Sequence, residues 1–252
     1  MRLTERVYLV GSGASGFSLT DRLDCHIYLL DGGSELALID VGTGMGVPEI
    51  LDNIRGDGFD PARIGHMILT HAHADHAGGA AHMRTALGGP AQVYLHRDCA
   101  DFLRQGDANA ISLNAAKDFG LYPRGYGFEP CPVDVELEEG QHLVVGDLEL
   151  EVLETPGHCW GHSSLIMRHN GRLYFFGGDL VFFGGRILLQ NIYDCDLQAY
   201  VASLEKVAHL TVDVFLPGHR SLALKDGQHH IDAAIRPLRE GLLPPNLVYS
   251  RS

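Results

Sequence analysis

Residues 70–79 carry four side chains that can bind a metal within six positions. They read THAHADHAGG and directly follow the apolar run at residues 66–70. The four side chains are His71, His73, Asp75 and His76. In a helix His71 and His73 would lie on different faces, whereas on a loop that leaves a strand alternate residues can converge on one point. Because imidazoles suit an ion such as Zn²⁺ and a carboxylate can complete a second site, the motif predicts a metal-binding loop.

Three further metal-competent side chains each follow an apolar run that is typical of a buried strand. They are His158 in the sequence TPGH, Asp179 in GGD and His219 in PGH. Ligands in α/β folds bind at the carboxyl ends of strands, so we expect these side chains at one edge of a sheet. Together with the first four they make two sets of three ligands and one shared carboxylate. That inventory is typical of a two-metal hydrolytic site.

The pattern of apolar runs predicts two β-rich halves, each with helices. We expect strands at residues 7–10, 26–31, 35–40, 66–70 and 92–96, and in the second half at 133–137, 142–145, 148–155, 165–168, 173–176 and 212–216. We expect helices at residues 48–55, 76–87, 98–105, 196–209 and 228–239. Glycines and prolines punctuate residues 106–132, which predicts a long loop, either a lid or a surface connection. The chain shows no repeat and no linker-like shift in composition, so we expect a single domain over residues 1–252.

Composition and charge argue against several classes of partner. The net charge is −13 and only three lysines are present, which works against binding to phosphate backbones. There is no run of 18 apolar residues that would span a membrane, and the apolar stretch at residues 7–10 is too short for a secretory signal. The five cysteines form no C-x-x-C pair, which favours free thiols in a reducing compartment. We therefore expect a cytoplasmic protein that binds neither nucleic acid nor membrane.

A glycine motif near the start of the chain imitates a dinucleotide-binding site. Gly11, Gly13 and Gly16 match the pattern G-x-G-x-x-G and follow a predicted strand. A crossover connection takes a dozen or more residues, but only the eight residues 17–24 separate Gly16 from the next strand. The sequence therefore predicts a glycine-rich loop between strands.

The ordered set THAHADHAGG, TPGH, GD and PGH resembles the metallo-β-lactamase fold superfamily, in a glyoxalase II-like or lactonase-like branch. The likeness runs from residue 7 to about residue 219. It implies an α/β fold, a four-layer αβ/βα sandwich of two mixed β-sheets with helices outside. It also implies that the metals lie at one edge, between the sheets.

The resemblance further implies a role for each ligand candidate. The first metal is held by His71, His73 and His158. The second metal is held by Asp75, His76 and His219, and Asp179 bridges the two. Asp40, in the sequence LIDVG, matches an acidic family position that orients a ligand or a loop, the alternative being a plain turn residue. His162 also matches a family position, and we expect it to support a ligand.

This ligand set implies a dinuclear metal-dependent hydrolase. Two zinc ions, with iron or manganese as alternatives, would share a bridging hydroxide that attacks the carbonyl of a small ester, thioester or lactone. Asp75 or Asp179 would handle the proton as the catalytic carboxylate. The alternative functions are a mononuclear iron oxidoreductase similar to persulfide dioxygenases, and β-lactam hydrolysis as a main or side activity.

Residues near the ligand candidates narrow the class of substrate that we expect. Residues 178–186 and the sequence TPGHCWGH resemble glyoxalase II, whereas chain length and ligands resemble quorum-quenching lactonases, which place a tyrosine where this chain has Phe182. Flavodiiron proteins have a glutamate at the position of His73, and the better-known class B β-lactamases lack the bridging Asp179. Aromatic side chains near the ligands are expected to line a substrate pocket, the alternative being core packing: Tyr126, Trp160, Phe182, Phe183 and Tyr193. The expected partners are a small-molecule substrate and a second copy of the chain, packed on the apolar residues 241–252.

Overall fold

A computed structural model of the chain describes residues 1–89 and 91–249. Its contacts divide into two compact units. The first unit comprises Met1–Leu137 with Val144–Leu148, and the second comprises Glu138–Leu143 with the chain from Glu149 onward. The single domain expected over residues 1–252 stays a prediction, and residues 250–252 of the predicted oligomer contact lie outside the described residues.

Six strands of the first unit form a mixed sheet in which spatial order follows chain order. They are Val7–Gly11 (β1), Ile27–Asp31 (β2), Leu36–Ile39 (β3), Ile64–Ile68 (β4), Gln92–His96 (β5) and Val135–Leu137 (β6). The pairs β1–β2 and β2–β3 are antiparallel, and the pairs from β3 to β6 are parallel. Strands buried on both faces read as continuous apolar runs, which is why β1, β2 and β3 were visible in the sequence.

The second sheet has five strands and is also mixed. They are His142–Val145 (β7), Leu148–Glu154 (β8), Ser163–His169 (β9), Arg172–Gly178 (β10) and Val214–Pro217 (β11). The spatial order is β11-β10-β9-β8-β7, with β10 and β11 parallel and the pairs β8–β9 and β9–β10 antiparallel. Asn170 and Gly171 form the turn between the antiparallel strands β9 and β10, and both residues have positive φ angles.

Seven α-helices accompany the sheets in the described part of the chain. They are Val47–Gly56 (α1), Ala74–Ala77 (α2), Ala80–Leu87 (α3), Arg97–Gln105 (α4), Leu113–Asp118 (α5), Leu197–Val207 (α6) and Gln228–Arg239 (α7). Helix α6 begins where the carboxylate of Asp196 accepts a hydrogen bond from the backbone N–H of Ala199. Its buried face includes Tyr200, Leu204 and Val207, which pack in the core of the second unit. No helix among the described residues has the length and apolar character needed to cross a membrane.

Three sequence-based expectations were wrong in detail. The strand predicted to open the second half, residues 133–137, is β6, and it pairs with β5 in the first sheet. The helix predicted over residues 76–87 is divided into α2 and α3 by Gly78 and Gly79. The long loop predicted over residues 106–132 contains α5, which is anchored by the buried side chain of Leu113.

The glycine motif was interpreted correctly. Its residues lie between β1 and β2, which are antiparallel neighbours and so need no crossover helix. The described residues 12–26 contain no helix, and Gly13 donates its backbone N–H to Asp24 within this loop. The structure therefore provides no helix start at the third glycine for a pyrophosphate.

Candidate metal centre

The first unit brings the residues of the HxHxDH motif together just beyond β4. Helix α2 begins directly after His73, whose carbonyl accepts the backbone N–H groups of His76 and Ala77. The ring of His71 lies 4.8 Å from that of His73 and 4.0 Å from that of His76, centroid to centroid. The motif thus leaves the strand as a loop and enters a single helical turn, so its side chains converge as the sequence predicted.

Asp40 orients this cluster from the end of β3. Its backbone has a left-handed φ of 59°, and its side chain is buried. One carboxylate oxygen accepts the N–H of Thr70 at 2.8 Å, and the other lies 2.8 Å from Nδ1 of His76. Because a carboxylate only accepts, Nδ1 of His76 carries the proton and Nε2 is the metal-competent nitrogen. That Nε2 lies 3.7 Å from a carboxylate oxygen of Asp75, beyond ordinary hydrogen-bond distance.

The hydroxyl of Thr70 extends the same arrangement to His71. It donates to the Asp40 carboxylate at 2.9 Å and lies 3.0 Å from Nδ1 of His71. With its own hydrogen directed to Asp40, the hydroxyl accepts the Nδ1 proton of His71. His71 is therefore held in the same tautomer as His76, with Nε2 as the basic nitrogen.

The second unit brings together the three later candidates, with His158 and His219 both near one carboxylate oxygen of Asp179. This carboxylate is 2% exposed, and one of its oxygens lies 3.7 Å from Nε2 of His158 and 3.6 Å from Nε2 of His219. Nδ1 of His158 donates to the backbone carbonyl of Leu188 at 3.1 Å. His158 thus repeats the tautomer found in the first unit. Nε2 nitrogens spaced just beyond hydrogen-bond distance around one carboxylate are an arrangement that a shared cation suits.

His162, which the sequence suggests as a residue that supports a ligand, contacts the backbone of Asp179. Its Nε2 accepts the backbone N–H of Asp179 at 3.0 Å, and its Nδ1 lies 2.9 Å from the hydroxyl of Thr155. Both ring nitrogens are therefore engaged, and the residue is fully buried. His162 acts on the site by fixing the position of the Asp179 backbone.

Sequence reasoning missed Tyr200, which lies on α6 and contacts the backbone at Asp179 and Leu180. Its buried hydroxyl donates to the carbonyls of Asp179 and Leu180, at 2.9 and 2.7 Å, and accepts the N–H of Leu188 at 3.2 Å. Burial raises the pKa of this phenol well above its ordinary value, so it remains a donor. The contacts are all with backbone atoms distant in the chain, which no residue pattern reveals.

Tyr122 and Cys25 are two more neighbours of the first-unit ligands that the sequence did not indicate. Burial and the neighbouring carboxylate of Asp75 raise the pKa of the Tyr122 phenol well above its ordinary value. Burial likewise raises the pKa of the Cys25 thiol, although His76 opposes the effect. Cys25 lies within 4.8 Å of the ligand atoms of Asp40 and His76, and its burial favours the neutral thiol.

The donor atoms in each unit fit a divalent metal. Imidazole nitrogens with their opposite nitrogens fixed, together with carboxylates, are the ligands that zinc and related ions prefer. The same donor set accepts iron or manganese, so it does not by itself select the metal.

The predicted pocket aromatics have different environments. The hydroxyl of Tyr126 donates to the carbonyl of Thr43 at 2.8 Å, and its side chain lines an open cavity of about 450 Å³ in the first unit. In the second unit Trp160 and Tyr193 form an edge-to-face pair with centroids 4.6 Å apart, and they are 38% and 70% exposed. Phe182 is fully buried, with its ring 6.3 Å from that of His219.

Phe183 is half-exposed and stacks 4.2 Å from the ring of His230. Burial, and then the neighbouring His229, lower the pKa of His230, whose Nδ1 accepts the N–H of Gly184. Among the five aromatics, Trp160, Phe183 and Tyr193 are the exposed ones.

The chain belongs to the metallo-beta-lactamase superfamily, whose family model matches residues 20–219. Two solved structures share the fold. One is a Cronobacter sakazakii metallo-beta-lactamase with a HARLDQ motif, 26% identical with a TM-score of 0.67, covering 87% of this chain and 80% of that one. The other is BJP-1, a subclass B3 metallo-beta-lactamase of Bradyrhizobium japonicum, 25% identical with a TM-score of 0.67, covering 87% and 76%. The predicted α/β fold class with two mixed sheets is confirmed, and family membership implies divalent metal binding.

Relatives of known sequence include proteins named as thioesterases. The chain is 28% identical over 222 residues to a Drosophila melanogaster beta-lactamase-like protein 2 homolog, covering 86% of this chain and 65% of the relative. It is 27% identical over 222 residues to an atrochrysone carboxyl ACP thioesterase of Aspergillus fumigatus, covering 86% and 58%. It is 27% identical over 215 residues to the acyl-coenzyme A thioesterase MBLAC2 of Gallus gallus, covering 77% and 72%. The chain therefore spans less than two thirds of the length of the first two relatives.

Proposed function

We propose that this protein is a dinuclear metal-dependent hydrolase that cleaves a thioester. The observation that carries the proposal is the common orientation of the histidines: His71, His76 and His158 each engage Nδ1 in a hydrogen bond. Each therefore keeps Nε2 as the basic nitrogen. We assign the first metal to His71, His73 and His158, the second to Asp75, His76 and His219, and the bridge to Asp179. Zinc is the metal we propose.

Two such ions, when bound by these residues, would supply a water activated near neutral pH and a polarised substrate carbonyl. The chain's own residues would orient the metal ligands and transfer the proton. Asp40 and the Leu188 carbonyl keep the imidazole nitrogens correctly directed, and His162 and Tyr200 hold the backbone of Asp179. Asp75 has a partly exposed carboxylate, so it is the residue that we propose to accept the proton of the attacking water and to pass that proton to the leaving thiolate.

The thioester is favoured over other carbonyl substrates by the names of the relatives, two of which are thioesterases. Trp160 lies two residues beyond His158 in the sequence and forms an exposed aromatic pair with Tyr193. We propose that these rings contact the acyl group, since aromatic walls suit an alkyl or aryl chain. An ester or a lactone offers the same carbonyl and is the neighbouring alternative.

The test is hydrolysis by zinc-loaded protein of a panel of acyl-coenzyme A thioesters, aryl esters, lactones and a chromogenic β-lactam. Asp179→Asn is expected to lower kcat by at least about 100-fold, because replacing a ligand exceeds the 10–100-fold cost of disturbing its outer partner. Asp232→Asn makes the same change on the exposed face of α7 and should retain wild-type kcat. Tyr193→Ala should raise KM with little change in kcat.

Thioester turnover that a chelator abolishes and zinc restores is the expected result. Turnover of the β-lactam alone would contradict the thioesterase assignment. Full activity in Asp179→Asn would contradict the dinuclear site, and a wild-type protein that binds zinc but hydrolyses nothing in the panel would contradict the hydrolase itself.

A further inference from the structure

Residues 187–189 form an extended piece of chain with two hydrogen-bonding edges. In a strand, the N–H and C=O groups of successive residues point to opposite sides. Ile187 follows this rule on one side: its N–H donates to the carbonyl of Pro245 at 3.0 Å, and its carbonyl accepts the N–H of Leu247 at 2.9 Å. Leu188 faces the other side, where its N–H meets the Tyr200 hydroxyl and its carbonyl accepts Nδ1 of His158. One short strand thus lies between residues 245–247 and a metal-ligand candidate.

Asn246 adds a side-chain clamp to this pairing. Its amide nitrogen donates to the carbonyl of Leu189 at 2.7 Å, and its amide oxygen accepts the N–H of Leu189 at 3.3 Å. The amide therefore reproduces a backbone pairing partner and extends the ladder by one residue. The same oxygen also accepts the N–H of Val248 at 3.2 Å, which holds the side chain in place.

We propose that Asn246 is a positioning residue for His158. The amide fixes Leu189 and the backbone pairing fixes Ile187, so the peptide groups of Leu188 between them have one available position. The Leu188 carbonyl in turn sets the tautomer and direction of the His158 ring. The inference rests on the proposed function in one respect, that His158 is a metal ligand.

The geometry also explains why a change at Asn246 would affect His158 and would not be confined to the core. Among the described residues, the N–H of Leu188 contacts the Tyr200 hydroxyl and its carbonyl contacts the His158 ring. The Tyr200 hydroxyl is itself held by the carbonyls of Asp179 and Leu180. A shift of residues 187–189 would therefore change contacts at both His158 and Asp179.

The experiment measures zinc affinity by competition with a chromophoric chelator, and hydrogen exchange of the Leu188 amide in metal-free protein. Asn246→Ala is expected to weaken zinc binding about tenfold, within the range for a disturbed outer partner, and to accelerate exchange at Leu188. Asn246→Asp keeps the acceptor but places a negative oxygen against the Leu189 carbonyl, so its loss should be at least as large.

Gln228→Ala is the matched control. The Gln228 amide bridges backbone groups in the same unit in the same manner, accepting from the N–H of Val212 and donating to the carbonyl of Ala208. It should lose stability yet leave zinc affinity and Leu188 exchange unchanged. Wild-type affinity and exchange in Asn246→Ala, or an equal loss of affinity in Gln228→Ala, would overturn the inference.

Neither measurement needs a substrate, so the two proposals fail separately. If the chain hydrolyses nothing but Asn246→Ala still weakens zinc binding, the hydrolase assignment falls and the positioning role stands. If the wild-type protein hydrolyses thioesters while Asn246→Ala binds zinc normally, the positioning role falls alone.

Discussion

At the scale of single residues, Asp40 has an unusual backbone conformation, and its carboxylate makes two contacts. Its φ of 59° lies in the left-handed region, where Asp and Asn are tolerated better than other non-glycine residues. From that position one oxygen reaches the backbone of Thr70 and the other reaches the ring of His76. A single buried carboxylate thereby links the end of β3 to the backbone of Thr70 and to the ring of His76, a proposed metal ligand.

Asp40→Asn is expected to weaken zinc binding by about 10–100-fold. Asparagine tolerates the same backbone conformation and its oxygen can still accept from Thr70, but its NH₂ group would face the N–H of His76. The ring relieves that clash by moving its proton to Nε2, the nitrogen that we assign to the metal. The measurement is zinc affinity by chelator competition, with the unfolding midpoint recorded alongside.

Asp31→Asn is the control for Asp40→Asn. The side chain of Asp31 also accepts a backbone N–H, that of Gly33, and this hydrogen bond does not involve any of the histidines proposed as ligands. It should bind zinc as the wild-type chain does. Unaltered zinc affinity in Asp40→Asn would refute the tautomer argument.

Residues that stand in the sequence motifs were predictable, and residues outside those motifs were not. Asp40 and His162 stand in motifs, and the structure places both against the candidates that they were expected to support. Tyr200 and Asn246 stand in no such motif, so their contacts with distant backbone groups were missed. Such contacts depend on tertiary packing and have no local signature.

At the scale of elements, the break between α2 and α3 shows packing overriding helix propensity. The alanine-rich residues 76–87 favour one helix, but the backbone N–H of Gly79 donates to the carbonyl of Gly42, and Gly78 closes α2. A Cβ at Gly79 would overlap the carbonyl oxygen of Val41. The two glycines let the ligand loop lie directly on residues 41–44.

Gly79→Ala is expected to lower the free energy of unfolding by about 1–3 kcal/mol, the usual cost of overpacking, because the overlapped atoms are backbone and cannot rotate away. Gly56→Ala, at the last residue of α1, meets no atom within 4 Å and should be neutral or slightly stabilising. Denaturant unfolding of the two variants compares them directly. Equal stability of the two would contradict close packing at Gly79.

The remaining errors at this scale have related causes. Helix α5 was hidden by the glycines and prolines around it, and it forms because Leu113 is buried in the core of the first unit. Strand β6 was assigned to the wrong half because strand pairing is a long-range property: Tyr94 pairs with Val135 across 41 positions of chain. Strand existence followed from apolar runs, whereas strand partners did not.

At the scale of the whole molecule, metal binding and folding are coupled if the ligands are those proposed. A ligand that binds only the folded chain adds about 4 kcal/mol at a concentration 1,000 times its Kd. For a chain of this length that corresponds to a rise of roughly 8–16 °C in the unfolding midpoint. We therefore expect chelator-treated protein to melt lower than zinc-loaded protein by about this amount.

His219→Ala should remove much of that zinc-dependent rise, since it deletes a ligand of the second metal. His229→Ala makes the same change at an exposed position on α7 and should retain the rise. Differential scanning calorimetry with and without zinc measures the difference for each chain. A rise that is equal in both variants would exclude His219 as a ligand.

The aromatic pair formed by Trp160 and Tyr193 has an optical consequence. Trp160 is the only tryptophan among the 252 residues, and its ring is 38% exposed against Tyr193. Emission excited beyond the tyrosine band therefore comes from one indole, two positions after His158. The unlabelled protein carries its own fluorophore at the loop where substrate is proposed to arrive, and occupancy of that loop can be followed in real time without turnover.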